Sequence, residues 1–563
     1  MTGVQTCALP IFGKLAKIDG KSLDKLGVKN EETAQKILAD LSNRKATVIE
    51  VTKKEVHRTP PAPFITSTMQ QEAARKLGFS AKQTMMYAQQ LYEGVELGEN
   101  EATGLITYMR TDSINLSETA IASARDAIMQ KFGKEYLLDK PRVFSSKSKN
   151  AQEAHEAIRP TDLTRDPDSI KEYLDRNQYR LYDLIWKRTM ATQMPEAVFD
   201  ATSVDIEMIG GAKAGSNSGG KKYIFRSTGQ VIKFDGFMKV YLEGTDEEEI
   251  EEEGLLPELT RGDEPKVIKI LPKQHFTMPP PRYSDATLIK ALEEHGIGRP
   301  STYAPTISTI VERDYVNKID KKFHPTEMGF IVNDILVEHF PKVVDLQFTA
   351  KMEEELDEIA NGDKEWVPVI KEFYDPFHSN LKIKEKEVEK HVETLDEKCP
   401  DSGHNLVIKF GRFGKFIACS NYPECKFTRP MPEEQKLIEE NSGEICDKCG
   451  RPMAVKFGRF GSFLGCSGYP ECKNIKKIQK GTGVACPKCG EGELVEKRSK
   501  RGIFYACSKY PQCKFSLNNK PTGEKCPESG DLLVITKDGA VKCSNKECNF
   551  EKEPTVEMQN LVK

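Results

Sequence analysis

The chain has 563 residues, 38% of them hydrophobic and 30% charged, with a formal net charge of −3. That length suits several domains of about 100–200 residues each, and no apolar run reaches the roughly 20 residues of a helical membrane span, so a soluble multidomain protein is expected. The small net charge hides an asymmetry. From residue 399 onward there are 28 Lys and Arg against 20 Asp and Glu, while the preceding part has 55 against 66. A basic tail on an acidic body is expected to meet an anionic partner.

Residues 1–11 lack the basic start and sustained apolar core of a signal peptide. They read as a foreign scar or a disordered terminus, with Cys7 inside it, and the fold is expected to begin at Phe12. From there to residue 66 the pattern gives a strand-like start, a turn at Gly20, a helix near Glu31–Ser42 and a strand over Ala46–Val56, ended by Pro60, Pro61 and Pro63. Ser67 with Gln70, and Ser80 with Gln83, have capping-box spacing, and Gly78 and Gly94 are placed to stop the helices they open.

The stretch Gly104-Leu-Ile-Thr-Tyr-Met-Arg-Thr-Asp-Ser113 follows. Its first half is apolar and β-prone, and its end starts turns. A strand over 104–110 is expected. Tyr108 and Arg110, two apart, would then share one face. A phenol with a pKa of about 10 is a weak nucleophile at neutral pH. A neighbouring guanidinium favours the phenolate and can neutralise an attacked phosphate, so the pair suits a covalent phosphotyrosine. The plain alternative is a packed tyrosine beside a solvated arginine.

Ser117 is expected to cap a helix to Phe132, stopped by Gly133, and another helix spans Glu172–Thr192 with Leu184 and Trp186 on its apolar face. Residues 195–270 turn β-like, with strands over Val198–Ile206, Tyr223–Arg226 and Phe237–Leu242, a Gly/Ser-rich loop at 210–220 and a solvated acidic run from Asp246 to Glu253. Ser284 caps a helix to His295, and Ser301 or Thr302 opens the next, a pattern similar to a helix-turn-helix. Arg299, Ser301 and Thr302 lie at that second start, where free N–H groups suit a phosphate. A simple helical hairpin is the alternative. Residues 345–395 read as charged helices leading to the tail.

Fourteen of the 15 cysteines lie beyond residue 398, which points to metal sites in a reducing compartment rather than disulfides. They form four repeats. Module two holds Cys446, Cys449, Cys466 and Cys472, and module three Cys486, Cys489, Cys507 and Cys513. Two close pairs of thiolates satisfy tetrahedral Zn²⁺, and units this short would draw much of their folding free energy from it. Module one has Cys399, Cys419 and Cys425, with Ser402 in the fourth place and His404 nearby as a substitute. Module four has Cys526, Cys543 and Cys548, with Ser529 in the gap. Weak binding is expected of module one, and no firm site of module four. Phe410, Arg412, Phe413, Lys415 and Phe416 recur as Phe457, Arg459, Phe460 and Phe463, and Tyr422, Tyr469 and Tyr510 each precede a proline. Interleaved cations and aromatics suit single-stranded nucleic acid. The alternative is that the rings form each ribbon's small core.

Three stretches together resemble the bacterial type IA DNA topoisomerases: Gly104–Ser113, Gln152-Glu-Ala-His155-Glu-Ala-Ile-Arg159-Pro-Thr161, and Gly296-Ile-Gly-Arg299-Pro-Ser-Thr-Tyr-Ala304. They occur in the family's order, and the resemblance runs over roughly residues 13–555. It implies a multidomain α+β fold: a toroidal type IA core lacking the N-terminal metal-binding domain, followed by tandem zinc ribbons. The implied divisions are a β-rich arch domain in two parts (12–66 and 194–270), a catalytic domain (67–193), a helix-turn-helix-like strand-binding domain (271–345), a helical spacer (346–398), and ribbons at 399–430, 444–478, 484–518 and 524–553. The resemblance also implies Tyr108 as nucleophile, Arg110 and His155 as its catalytic partners, and Thr107, Thr111, Asp112, Arg159, Arg299, Ser301 and Thr302 as DNA contacts. It implies an ATP-independent, monomeric cytoplasmic enzyme acting on single-stranded and negatively supercoiled DNA, with RNA polymerase as a ribbon partner. Mg²⁺ belongs to the family, but its ligands are not found in this sequence. Asp166-Pro-Asp168 is the nearest imitation, so the chain is expected to be an N-terminally truncated member that relaxes DNA poorly by itself. Two other readings are a non-enzymatic zinc-ribbon DNA-binding protein and a tyrosine recombinase.

Overall fold

The computed structural model describes residues 11–24, 26–98, 102–144, 155–210, 220–246, 256–387, 393–411, 414–458, 461–478, 481–499, 502–536, 539–545 and 547–552. Cys7, Gln152, Glu153, most of the 210–220 loop and the acidic run from 247 lie outside them. Two compact units divide the chain at residues 388 and 389.

In the first unit an antiparallel sheet runs in the order Lys21–Ser22, Lys14–Ile18, Lys222–Phe234, Ala197–Ile209, Ala46–Arg58. Strands from both sides of the helical segment therefore join one sheet. Val48, Val204, Ile206, Met208 and Tyr223 pack with Leu41 of helix α1 (Glu31–Leu41), as alternation on a half-buried sheet requires. The extended stretch expected over Phe237–Leu242 is instead a short 3₁₀ turn, Gly236–Lys239. Phe237 and Tyr241 both drop into the helical core, and that leaves no strand face to pair.

That core gathers around α2 (Thr66–Glu72), α3 (Ala81–Glu93), α4 (Glu118–Phe132) and α5 (Arg176–Thr192). Ser80 and Gln83 cap α3 reciprocally, and Ser117 caps α4. Helix α2 starts before the Ser67–Gln70 spacing suggests. The Ile65 N–H donates to Thr68 Oγ1 at 3.0 Å, and Ser67 is buried in the first turn. The helix expected over Glu172–Thr192 is broken at Leu174, because Asp175 accepts from the N–H groups of Asn177 and Gln178 and starts α5 afresh. Leu181, Tyr182, Ile185 and Trp186 then fall on the inner face at helical spacing.

Helices α6 (Asp285–Glu294) and α7 (Tyr303–Glu312) flank the Gly296–Thr302 turn, and a hairpin of Val316–Ile319 and Lys322–Pro325 follows. Helix α6 packs on α2, and α7 on α3. Helices α8 (Glu327–His339), α9 (Leu346–Asn361) and α10 (Trp366–Glu387) complete the unit.

The second unit holds four small antiparallel sheets in succession, of four, three, four and four strands, with a helix, Pro432–Glu440, between the first and second. Each core combines cysteines with a few aliphatic side chains, such as Cys399, Cys419, Leu406, Ile408 and Ile417 in the first.

Candidate active site and zinc-ligand clusters

The Gly104–Ser113 stretch is mostly not a strand. Only Ala102–Thr103 pairs as one, with a single further bridge between Ile106 and Pro160. Its backbone groups are satisfied by segments distant in sequence. The Thr107 N–H donates to the Arg159 carbonyl at 2.9 Å, and the Thr161 N–H to the Leu105 carbonyl at 3.0 Å. The Thr107 hydroxyl donates to the Ala157 carbonyl at 2.7 Å and accepts from the Arg159 N–H at 3.0 Å. Buried Thr66 grips the other end. Its hydroxyl lies 2.8 Å from the Met109 carbonyl and accepts from the Thr111 N–H at 2.9 Å. A Cβ on Gly104 would lie 2.8 Å from the Tyr92 carbonyl oxygen, closer than side chains approach.

Leu105, Ile106 and Met109 are fully buried in the helical core, each worth about 1.5–3 kcal/mol of burial at most. Tyr108 and Arg110 face outward on either side of Met109. Both therefore lie at the surface of a clamped loop that bends at Thr107, Met109 and Arg110 rather than on a strand. The Tyr108 ring is 36% exposed. Its centroid lies 5.8 Å from that of His155 and 5.3 Å from that of Tyr92. A tyrosine on a firmly anchored backbone, partly open to solvent beside an imidazole, can attack an electrophile brought to it.

Arg159 is turned inward. It bonds Glu156 at 2.5 Å and the Pro160 carbonyl at 2.8 Å. Burial raises the pKa of Glu156, but its bonds from Arg159 and Ser117 outweigh that and hold it below the usual carboxylate range. At the α6–α7 turn Arg299 bonds Asp357 of α9 at 2.6 Å and its own Gly298 carbonyl at 2.8 Å. The Thr302 hydroxyl accepts from the Arg299 N–H at 2.8 Å, and Ser301 is exposed. Burial, then nearby Glu293, pushes the phenol of Tyr303 up to about 12, with Asp112 among the carboxylates acting on it. Thr66, Tyr92 and Glu156 were not foreseen. No local spacing marks Thr66, whose partners lie more than 40 residues away, and Glu156 ties its neighbour Arg159 to Ser117, 39 residues distant.

In modules two and three the four sulfurs lie within 4.8 Å of one another. Cys446–Cys472 and Cys486–Cys513 are each 3.7 Å apart, Cys449–Cys466 3.3 Å and Cys489–Cys507 3.6 Å. Zn–S bonds of about 2.3 Å at tetrahedral angles need sulfurs about 3.8 Å apart, so these sets fit zinc. Modules one and four gather three sulfurs each. The proposed substitute His404 is not among the ligands. Its carbonyl accepts the Cys399 N–H at 2.7 Å, and its side chain is exposed. Asp166 N-caps a 3₁₀ helix and Asp168 accepts from the Tyr179 hydroxyl at 2.8 Å. Among the described residues, every cluster with metal-ligand geometry is made of cysteine.

Tyr422, Tyr469 and Tyr510 are 62%, 65% and 59% exposed, each under a lysine: Lys409, Lys456 and Lys497 at 5.0, 5.5 and 5.2 Å from the ring centroid. These rings are not core. Arg412, Phe413, Arg459 and Phe460, with the side chains of Phe410 and Phe457, lie outside the described residues.

Residues 10–371 match the family model described as DNA topoisomerase. Residues 396–434, 443–481 and 483–522 match that of the topoisomerase DNA-binding C4 zinc finger. The chain is 40% identical over 524 residues to DNA topoisomerase 1 of Campylobacter jejuni, covering 93% of this chain and 68% of that protein. It is similar to the structure of full-length topoisomerase I from Thermotoga maritima, with a TM-score of 0.52 and 36% identity, over 71% of this chain and 62% of that one.

Proposed function

The chain belongs to the bacterial DNA topoisomerase family, and from that premise we propose that Tyr108 opens and reseals single DNA strands by transesterification. The Tyr108 hydroxyl releases its proton to solvent, and its oxygen bonds to the phosphorus of a phosphodiester as the bond from phosphorus to the 3′ oxygen breaks. The phosphate stays on the tyrosine through its 5′ side, and the departing oxygen takes up a proton to become a 3′-hydroxyl. The second strand passes, and the 3′-hydroxyl reverses the exchange. One ester replaces another, so no ATP is needed.

Arg110 meets the charge on the phosphate. His155 borders the ring face and contacts the scissile region. Thr107 and Thr111 act through the backbone bonds that hold the loop, and Asp112 lies toward the strand-binding turn. There Arg299, Ser301 and Thr302 take up the strand, with DNA phosphate replacing Asp357 on Arg299. Arg159 contributes through Glu156. The partner is single-stranded, negatively supercoiled DNA, and the exposed Lys–Tyr pairs of the ribbons hold the strand alongside. Monomeric state, cytoplasmic location and contact of the ribbons with RNA polymerase follow from the family resemblance alone. No helix among the described residues is long and apolar enough to cross a membrane.

The described residues do not offer the carboxylate group that a hard divalent cation would take, and no step is assigned to Mg²⁺. Assayed with Mg²⁺, the 563-residue chain is expected to relax supercoils weakly or not at all, and robust relaxation would overturn that expectation.

The observation that carries the reading is the exposed Tyr108 beside His155 on a loop anchored by the buried Leu105, Ile106 and Met109. Denaturant trapping on a labelled single strand tests it. The covalent adduct should vanish in Tyr108→Phe and persist in Tyr92→Phe. Equal adducts in both variants would sink it, and absence of any adduct in the parent chain would favour a DNA-binding role alone.

A further inference from the structure

Arg188 stands where the pattern of α5 calls for an apolar residue. Leu181, Leu184, Ile185 and Thr192 mark the buried face at helical spacing, and position 188 falls on it. The residue is 3% exposed, and arginine is almost never so buried unless paired. Well-packed apolar residues often serve stability as well as a buried ion cluster does. The reason for a guanidinium here lies in what it grips.

The chain crosses between the sheet and the helical core three times, over 59–65, 193–196 and from 235 onward. Arg188 sits on the last turns of α5, just before the second crossing, and reaches the other two. Its Nε donates to the Ala62 carbonyl at 2.6 Å in the first. One terminal nitrogen donates to the Tyr241 hydroxyl at 2.9 Å and to Glu243 at 3.2 Å in the third. The guanidinium carbon lies 4.7 Å from the Phe64 ring centroid and 5.1 Å from that of Tyr241. Burial raises the pKa of the Tyr241 phenol, and its hydroxyl donates in turn to buried Glu72 of α2 at 2.7 Å. Glu72 also accepts from the Gly244 N–H at 3.1 Å and pairs with Lys76 at 3.2 Å.

The first crossing is the one that holds the nucleophile. The Phe64 carbonyl accepts from the Ile158 N–H at 2.8 Å, which anchors the segment that follows His155. The Thr66 N–H donates to the Thr111 carbonyl at 2.9 Å, and the Thr66 hydroxyl lies 2.8 Å from the Met109 carbonyl. Ala62 to Thr66 thus joins Arg188 to the backbone on both sides of Arg110.

We propose that Arg188 is a positioning residue for strand cleavage. It pins the first and third crossings to α5, and the fixed Ala62–Thr66 segment then holds Tyr108 and His155 in place against each other. This role rests on Tyr108 being the nucleophile. Arg188 touches neither the strand nor the reacting atoms, so its effect falls on the rate of the bound complex and not on strand affinity.

The test uses the full chain. Arg188→Lys keeps the charge but replaces a planar fork by a point charge. Tyr241→Phe keeps the ring and removes the hydroxyl between Arg188 and Glu72. In both, hydrogen exchange of the Thr66 and Ile158 amides should quicken about tenfold while that of α4 stays at the parent's rate. With a labelled single strand at saturation, the denaturant-trapped adduct should form about tenfold more slowly, with strand affinity by fluorescence anisotropy unchanged. Unchanged exchange at both amides, a fall in affinity with the saturating rate kept, or protection lost equally over α4 in both variants would each overturn the assignment. An adduct missing from the parent would overturn Tyr108 and this role with it. An adduct that forms as fast in both variants as in the parent would overturn Arg188 alone.

Discussion

Thr66 shows how one side chain can fix a nucleophile that it does not touch. It is fully buried, and its single hydroxyl bonds the backbone on both sides of Arg110. Thr66→Val keeps the shape and strands the Thr111 N–H and the Met109 carbonyl without that partner. Leaving buried groups unpaired costs about 1–3 kcal/mol. The expected outcome is a folded protein whose amide protection falls at 109–111 and whose Tyr108 adduct forms roughly tenfold more slowly. An unchanged adduct rate with normal protection would show that the loop is held by its apolar residues alone. This grip was not legible in the sequence. The Tyr108–Arg110 pair could be read because chemistry and spacing coincide within three residues. Thr66 is 43 residues from Met109, after a proline-rich stretch, with nothing local to mark it.

Among the elements, legibility followed locality. The α3 and α4 caps, and the glycines that end them, appear where sequence places them, because a cap is settled by side chains within three residues. The expected strand at 104–110 failed because β pairing needs a partner, and here the partners are single carbonyls and hydroxyls from other segments. The ribbons were legible from cysteine spacing, yet the decisive surface feature, an exposed ring under a lysine repeated three times, emerges only when strands are laid side by side. It carries a prediction. Replacing Tyr422, Tyr469 and Tyr510 together by Ala removes stacking worth about 1–3 kcal/mol per base. Single-strand affinity, measured by fluorescence anisotropy, should drop at least tenfold while zinc content stays the same. An unaltered affinity would return these rings to a structural role.

At the scale of the molecule, the proposed strand passage would part the nucleophile's helices from those of the strand-binding turn, and the buried α2–α6 contact between them is polar. Its α2 side carries buried Ser67, Gln70 and Gln71 rather than a hydrophobic stripe. Both amide atoms of Gln70 lack a partner among the described residues, and Gln71 donates to Glu293 at 3.1 Å. Burial raises the pKa of Glu293, with Glu294 adding to the shift and the Gln71 bond opposing it. The closed contact therefore binds a proton more tightly than the open one. Its contribution is full below the ordinary carboxylate range and is lost as pH rises through the elevated pKa, so opening becomes easier toward neutrality. Hydrogen exchange, corrected for intrinsic rates, should show protection of α2 and α6 falling as pH rises from the ordinary carboxylate range toward neutrality. In Glu293→Gln the neutral amide should keep the contact closed, with protection nearly flat across that range and strand passage slowed. A parent protein whose protection rises with pH, or a variant that follows the parent's curve, would remove Glu293 from control of this contact.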